Sequence, residues 1–176
     1  MQISFNFFSA ILLLCSTAFS GMAQSVPGKK ISIADFTPLR GEWKGNLTYL
    51  DYSSNKQVTL PANTKFEMIS DSSFDQFIYY TSEPHKNDGT RYTIKENGRQ
   101  LNDMKLLTRI KKSGDAMELV FEYRGPDGND NRMATMHQVM QFSGHELVIT
   151  KKVKYDGTDQ FIQRHQYRFT AKPSHQ

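Results

Sequence analysis

From Gly41 onward, apolar and polar residues alternate in short stretches separated by turns rich in Gly, Asp, Asn and Pro. Over Gly41 to Tyr52, Trp43, Gly45, Leu47 and Tyr49 fall on one face, and Glu42, Lys44, Asn46 and Thr48 on the other. A period of two marks a strand with one face buried. The same pattern recurs over Thr64 to Ser70, Phe74 to Ser82, Arg91 to Glu96 and Met104 to Lys111. It continues over Ala116 to Arg124, Met133 to Phe142, Glu146 to Tyr155 and Gln160 to Ala171. About nine strands are predicted, with no stretch of helical period.

The connectors are short. Asn97-Gly98 and Asp156-Gly157 supply the positive φ of tight hairpins, and Gly125-Pro126-Asp127-Gly128 and Ser143-Gly144 are turn sequences too. Successive strands therefore pair antiparallel. The expected fold is all-β, an antiparallel up-and-down β-barrel of about 8–10 strands, because closure removes the unpaired edges that a long meander exposes. A β-sandwich is the alternative.

The barrel domain is expected over residues 41–171, preceded by an extension and barrel cover over 24–40 and followed by a tail over 172–176. Within the extension, Ile33-Ala34-Asp35-Phe36-Thr37-Pro38-Leu39 reads as a short turn of helix or an irregular cover, whose Phe36 and Leu39 could plug one end. Residues 1–23 form a signal peptide: an apolar run from Phe7 to Ala18, too short to span a bilayer, ends in Gly21-Met22-Ala23. Cleavage after Ala23 predicts a secreted or periplasmic protein with no membrane span. Cys15, the only cysteine, leaves with the leader; the large Leu14 before it argues against lipidation. The mature chain then lacks disulfides and thiol chemistry.

A net charge of +4 with interspersed acids gives no nucleic-acid footprint. The five histidines, among them His137 and His165, lack metal-ligand spacing, and no nucleophile elbow or phosphate loop is present. Asp127-Gly128-Asn129-Asp130-Asn131 lacks the distal Glu of a calcium loop and is taken as a hairpin turn. No catalytic residue, metal or cofactor is assigned, and a monomer is expected.

Combining the strands gives an inner face of Leu47, Tyr49, Phe66, Met68, Tyr92, Ile94, Leu106, Ile110, Met117, Leu119, Phe121, Tyr123, Leu147, Ile149, Val153, Phe161, Tyr167 and Phe169. Candidate ligand contacts are Tyr49, Phe66, Tyr92, Phe121, Tyr123 and Tyr167, with Gln163 and His165 as orienting polar groups. The same side chains could simply fill the core, leaving a non-enzymatic interaction module.

At Asp35-Phe36 followed by Leu39-Arg40-Gly41-Glu42-Trp43 the chain resembles the opening of the lipocalin and calycin group. The resemblance implies that Trp43, after Gly41, seals the closed end, and that a late-strand arginine, Arg168 or Arg164, packs over it. It also implies a barrel carrying a small hydrophobic molecule. Gly41-Glu42-Trp43-Lys44-Gly45 with a later His165 is similar, too, to nitrobindin-like calycins, which would imply proximal haem ligation by that histidine.

Overall fold

A computed structural model describes residues 29–172 other than 52, 55 and 113. The leader, its cleavage site and all but Lys172 of the expected tail lie outside the described residues. Ten antiparallel strands succeed one another round a closed barrel in chain order, with β1 (Gly41–Asp51) pairing β10 (Ile162–Ala171) to close it. Between them run β2 (Lys56–Met68), β3 (Ser73–Tyr80), β4 (Asp88–Lys95), β5 (Gln100–Leu101), β6 (Met104–Lys111), β7 (Met117–Asp127), β8 (Arg132–Ser143) and β9 (Glu146–Tyr155). The all-β, up-and-down barrel is as expected, and the sandwich alternative falls.

One end of the barrel is closed by the segment that precedes β1. The helix α1 (Ile33–Phe36) and the 3₁₀ turn Thr37–Leu39 lay Phe36 and Leu39 over the barrel mouth, both fully buried. The Trp43 indole N–H donates to the Leu39 carbonyl at 2.8 Å, so the floor residue and the plug hold each other. Phe36 packs on Phe74 at 4.6 Å, and Phe74 stacks on Tyr92 at 5.0 Å.

Two β-bulges break the strict alternation that the sequence pattern assumes. In β6 the register slips between Leu106 and Thr108, which reverses the inward phase of the rest of the strand. Ile110, expected inside, is therefore exposed, and Arg109 turns toward the closed end. There Arg109 makes a two-pronged bond to Asp35, with Nη2 to Oδ1 at 2.6 Å and Nε to Oδ2 at 3.0 Å. Asp35 also accepts the Ser32 N–H, closing a capping box on α1. This buried carboxylate latches the plug to the barrel wall. Asp35→Ala is expected to cost about 2 kcal/mol, below the range for fully buried pairs because Arg109 stays partly solvated. The check is urea unfolding monitored by Trp43 emission; an unchanged midpoint would remove the latch from the account.

In β10 the slip lies between Gln163 and His165, leaving Arg164 as the extra residue. Gln163 consequently pairs with exposed Lys152 on the outer face, not in the cup as expected. Phe161 also lies outside, stacked on His137 at 4.2 Å, with Lys154 over its ring. Strands β2 and β7 run longer than predicted, through Pro61 and Pro126. Each proline pairs with one neighbour, Asn46 or Met133, where the ladder on the other flank has ended, so its missing N–H leaves no ladder bond unmade. The expected turn at 125–128 is thus strand as far as Asp127, and the reversal falls on residues 128–131. Asn97-Gly98 is likewise part of a 3₁₀ turn and no two-residue hairpin.

Candidate functional site: a cup with a charged wall

Large side chains fill the closed half of the barrel. Phe66, Phe74, Leu101, Leu119, Phe121 and Leu147 are all buried there, so Phe66 and Phe121 are core residues and do not line the cup. The other half opens into a cavity of about 480 Å³, within the range of small-molecule pockets. Leu47, Tyr49 and Leu60 from β1 and β2 give it an apolar wall. Asp127, Lys151, Arg164 and His165 from β7, β9 and β10 give it a polar one, and Tyr80, Glu83, Lys86 and Asp88 complete the rim.

Asp127 organises the polar wall. Its Oδ1 accepts from Lys151 Nζ at 2.6 Å, its Oδ2 from the Tyr155 hydroxyl at 3.0 Å, and Arg164 Nε lies 3.8 Å from Oδ2. Burial alone would raise this carboxyl. The Lys151 hydrogen bond and charge, helped by Tyr155 and Arg164, instead hold it below the ordinary carboxylate value. Arg164 reaches this position because the bulge turns it, and it also donates to the Leu50 carbonyl.

His165, opposite Tyr49 in the β1–β10 ladder, faces the cup and meets the Tyr167 ring edge-on at 5.4 Å. Burial first, then the charges of Lys151 and Arg164, push its imidazole down to about 4; Asp127 opposes them and loses. The ring is neutral at physiological pH. Because the unfolded histidine takes up a proton near 6.5 and the folded one only near 4, stability should fall as pH drops through that window, by on the order of 2 kcal/mol. His165→Phe is expected to flatten this slope in urea titrations at pH 4.5 and 7.5; equal slopes would show that His165 is not the group responsible.

Tyr167 is buried, and its hydroxyl lies 2.6 Å from that of Tyr80. Burial, then this bond, pushes its phenol well up. Tyr92 is half-buried, with its hydroxyl on Gln138, and Tyr123 packs with Tyr155 against Ala134, Met136 and Val153. Of the eight residues expected to contact ligand, only Tyr49 and His165 line the cavity, with Tyr167 joined to it through Tyr80. Arg168 is exposed and bonded to Gln166; the strand partner of Trp43 on β10 is Ala171, so neither arginine covers the indole. His137 is on the outer face, paired with Glu122 at 3.1 Å, and does not meet His165.

Sequence reasoning missed Leu60, Tyr80, Asp127, Lys151 and Arg164. Alternation through Leu147, Ile149 and Val153 already puts Lys151 inside, and an inward lysine was the available signal. A larger groove of about 1,120 Å³ runs outside the closed end between Arg40, Lys44, His145 and Lys172; these side chains are solvated, and Lys172 pairs with Glu42. Among the described residues no three His, Cys, Asp or Glu side chains could share a metal, and no helix is long and apolar enough to cross a membrane.

Fold and cup together define a calycin-like barrel. No family model matches the chain, and no curated protein is significantly similar to it in sequence. Among solved structures it is similar to Rv2717c from M. tuberculosis, with 12% identity and a TM-score of 0.55 over 80% of this chain and 96% of that one. It overlaps the fluorescent protein UnaG less well, with 9% identity and a TM-score of 0.39 over 78% of this chain and 98% of that one. At 12% identity the likeness to Rv2717c extends to the fold alone.

Proposed function

We propose that the protein is an exported, non-catalytic barrel that holds one small, largely apolar molecule in the open half of its cup. The observation that carries this reading is the cavity of about 480 Å³, which faces an apolar wall of Leu47, Tyr49 and Leu60 with a polar wall built on Asp127. A barrel serving only as a filled scaffold would close that space with side chains, as its other half does. Export rests on the leader, and sequencing the mature N-terminus should find Gln24 first.

The ligand test is native mass spectrometry of protein purified from its own host, with titration of the emptied protein by an apolar fluorophore. A retained small-molecule mass and saturable probe binding, one per chain, are expected. An empty protein that binds no probe would overturn the carrier in favour of an interaction module. A Soret band in the same preparation would replace it with haem held by His165, whose neutral imidazole faces the cup.

A further inference from the structure

Outside the barrel, at its closed end, the sheet presents cations that no carboxylate answers. The groove along the start of β1 is lined by Arg40, Lys44 and Lys172 against the single acid Glu42, which Lys172 already pairs. Arg40 and Lys44 are exposed, and neither forms an ion pair among the described residues. The flanking charges cancel: exposed Glu146 on β9 and Arg168 on β10 are of opposite sign, and Lys65 pairs with Glu67 at 2.6 Å. The groove therefore carries a net positive charge that an anion would offset.

The same outer face carries aromatic rings. Cross-strand register sets Lys44 on β1 beside Asn63 on β2 and Asn63 beside Tyr79 on β3; one row over, Glu42 stands beside Lys65 and Lys65 beside Phe77. Each step is one strand spacing, so the backbone of Tyr79 lies about 10 Å from that of Lys44. The Lys65 ammonium, raised chiefly by its bond to Glu67, also senses both Tyr79 and Glu42. Tyr79 is 42% exposed, and Phe77 is half-buried with its ring against Gly89, where an added Cβ would lie 3.0 Å from it. Asn63 is half-buried, and its carboxamide has no hydrogen bond among the described residues. Beyond the rings, Asp75 holds Arg91 through two bonds of 2.7 Å. Ring faces are thus interleaved with polar groups fixed in place, whereas the centre of a protein–protein interface is depleted of charged groups. A sugar chain has the matching pattern: C–H faces of positive partial charge that stack on the negative face of an aromatic ring, edged by hydroxyls.

We propose that this outer face, separate from the cup, binds an acidic polysaccharide whose pyranose faces stack on Tyr79 and Phe77 and whose carboxylates meet Lys44 and Arg40. The Asn63 carboxamide offers a donor and an acceptor to the hydroxyls between them. Carboxylates spaced along the chain reach the two cations through charge-assisted hydrogen bonds. A neutral glycan would leave Arg40 and Lys44 unanswered, and a purely acidic peptide would leave the ring faces unused.

The experiment is calorimetric titration of the whole mature protein at pH 7.5 and low salt with a galacturonate oligomer, its neutral methyl ester, and a glutamate oligomer of equal charge. The galacturonate oligomer is expected to bind at least about fivefold more tightly than either of the others. Tyr79→Ala and Lys44→Ala should each weaken it by about fivefold or more, while Met133→Ser, at an exposed position on β8, leaves it unchanged. All three substituted side chains are exposed, so the variants should keep the wild-type far-ultraviolet circular dichroism. Glutamate binding as tightly as galacturonate would reduce the face to a charged patch and overturn the sugar. An ester that binds as tightly would overturn the acidic requirement, and a galacturonate oligomer that does not bind would overturn the site itself. Equal losses in Tyr79→Ala and Met133→Ser would overturn its placement.

Discussion

Gly45→Ala is expected to prevent the barrel from closing, with a loss of roughly 4 kcal/mol or more, while Gly125→Ala changes stability by less than about 1 kcal/mol. Both glycines sit within strands, so the contrast isolates what surrounds them. A methyl group added at Gly45 would lie 1.9 Å from the Arg168 carbonyl oxygen and 2.8 Å from the Arg168 carbonyl carbon and Phe169 Cα. These are backbone atoms of β10 that no side-chain rotation can clear. The only relief is to part β1 from β10 along the seam that closes the barrel, where seven residue pairs from Trp43–Ala171 to Tyr49–His165 are in register. At Gly125 the nearest atom is the flexible Met136 Cε at 3.5 Å, an ordinary contact. Urea unfolding with far-ultraviolet circular dichroism reads both variants; a cooperative, wild-type transition for Gly45→Ala would show that the seam yields more easily than its geometry requires.

The same contrast explains why the opening motif was so informative. Gly41 begins β1 at a φ of +110°, and Gly45 is the point of closest approach to β10. Between them Trp43 fills the floor beneath Leu39. Each residue of the motif answers to a constraint within a few positions of itself or at one fixed seam, so the closed end and the strand meander were both legible in the sequence.

The open end was not, for two physical reasons. A bulge adds one residue to a strand and reverses the inward phase beyond it, yet nothing in Leu107 or Arg164 distinguishes it from a regularly paired neighbour. Alternation therefore sent Ile110 and Gln163 inward and left Arg109 and Arg164 out, the reverse of what the folded chain does. The second reason is that Asp127 is held by partners distant in sequence, with Lys151 24 positions away. Flanked by Gly125-Pro126 and Gly128, it has the local chemistry of a turn. Only the ending of β6 short of it frees β7 to carry Pro126, and with it Asp127, to the cup.

The second large loss is expected at Asp127, which holds Lys151 and Tyr155 on the polar wall. Asp127→Ala takes from Lys151 its hydrogen-bonded carboxylate and from Arg164 a nearby negative charge in a half-dry site, and removing one member of a buried ionic cluster costs about 3–5 kcal/mol. Asp127→Asn keeps the size and one acceptor for Lys151, so its loss should be smaller, and adding Lys151→Met to Asp127→Ala should restore part of the stability by deleting an unpaired cation. A double-mutant cycle in urea measures this coupling, and additive losses would show that the two groups do not act as one cluster.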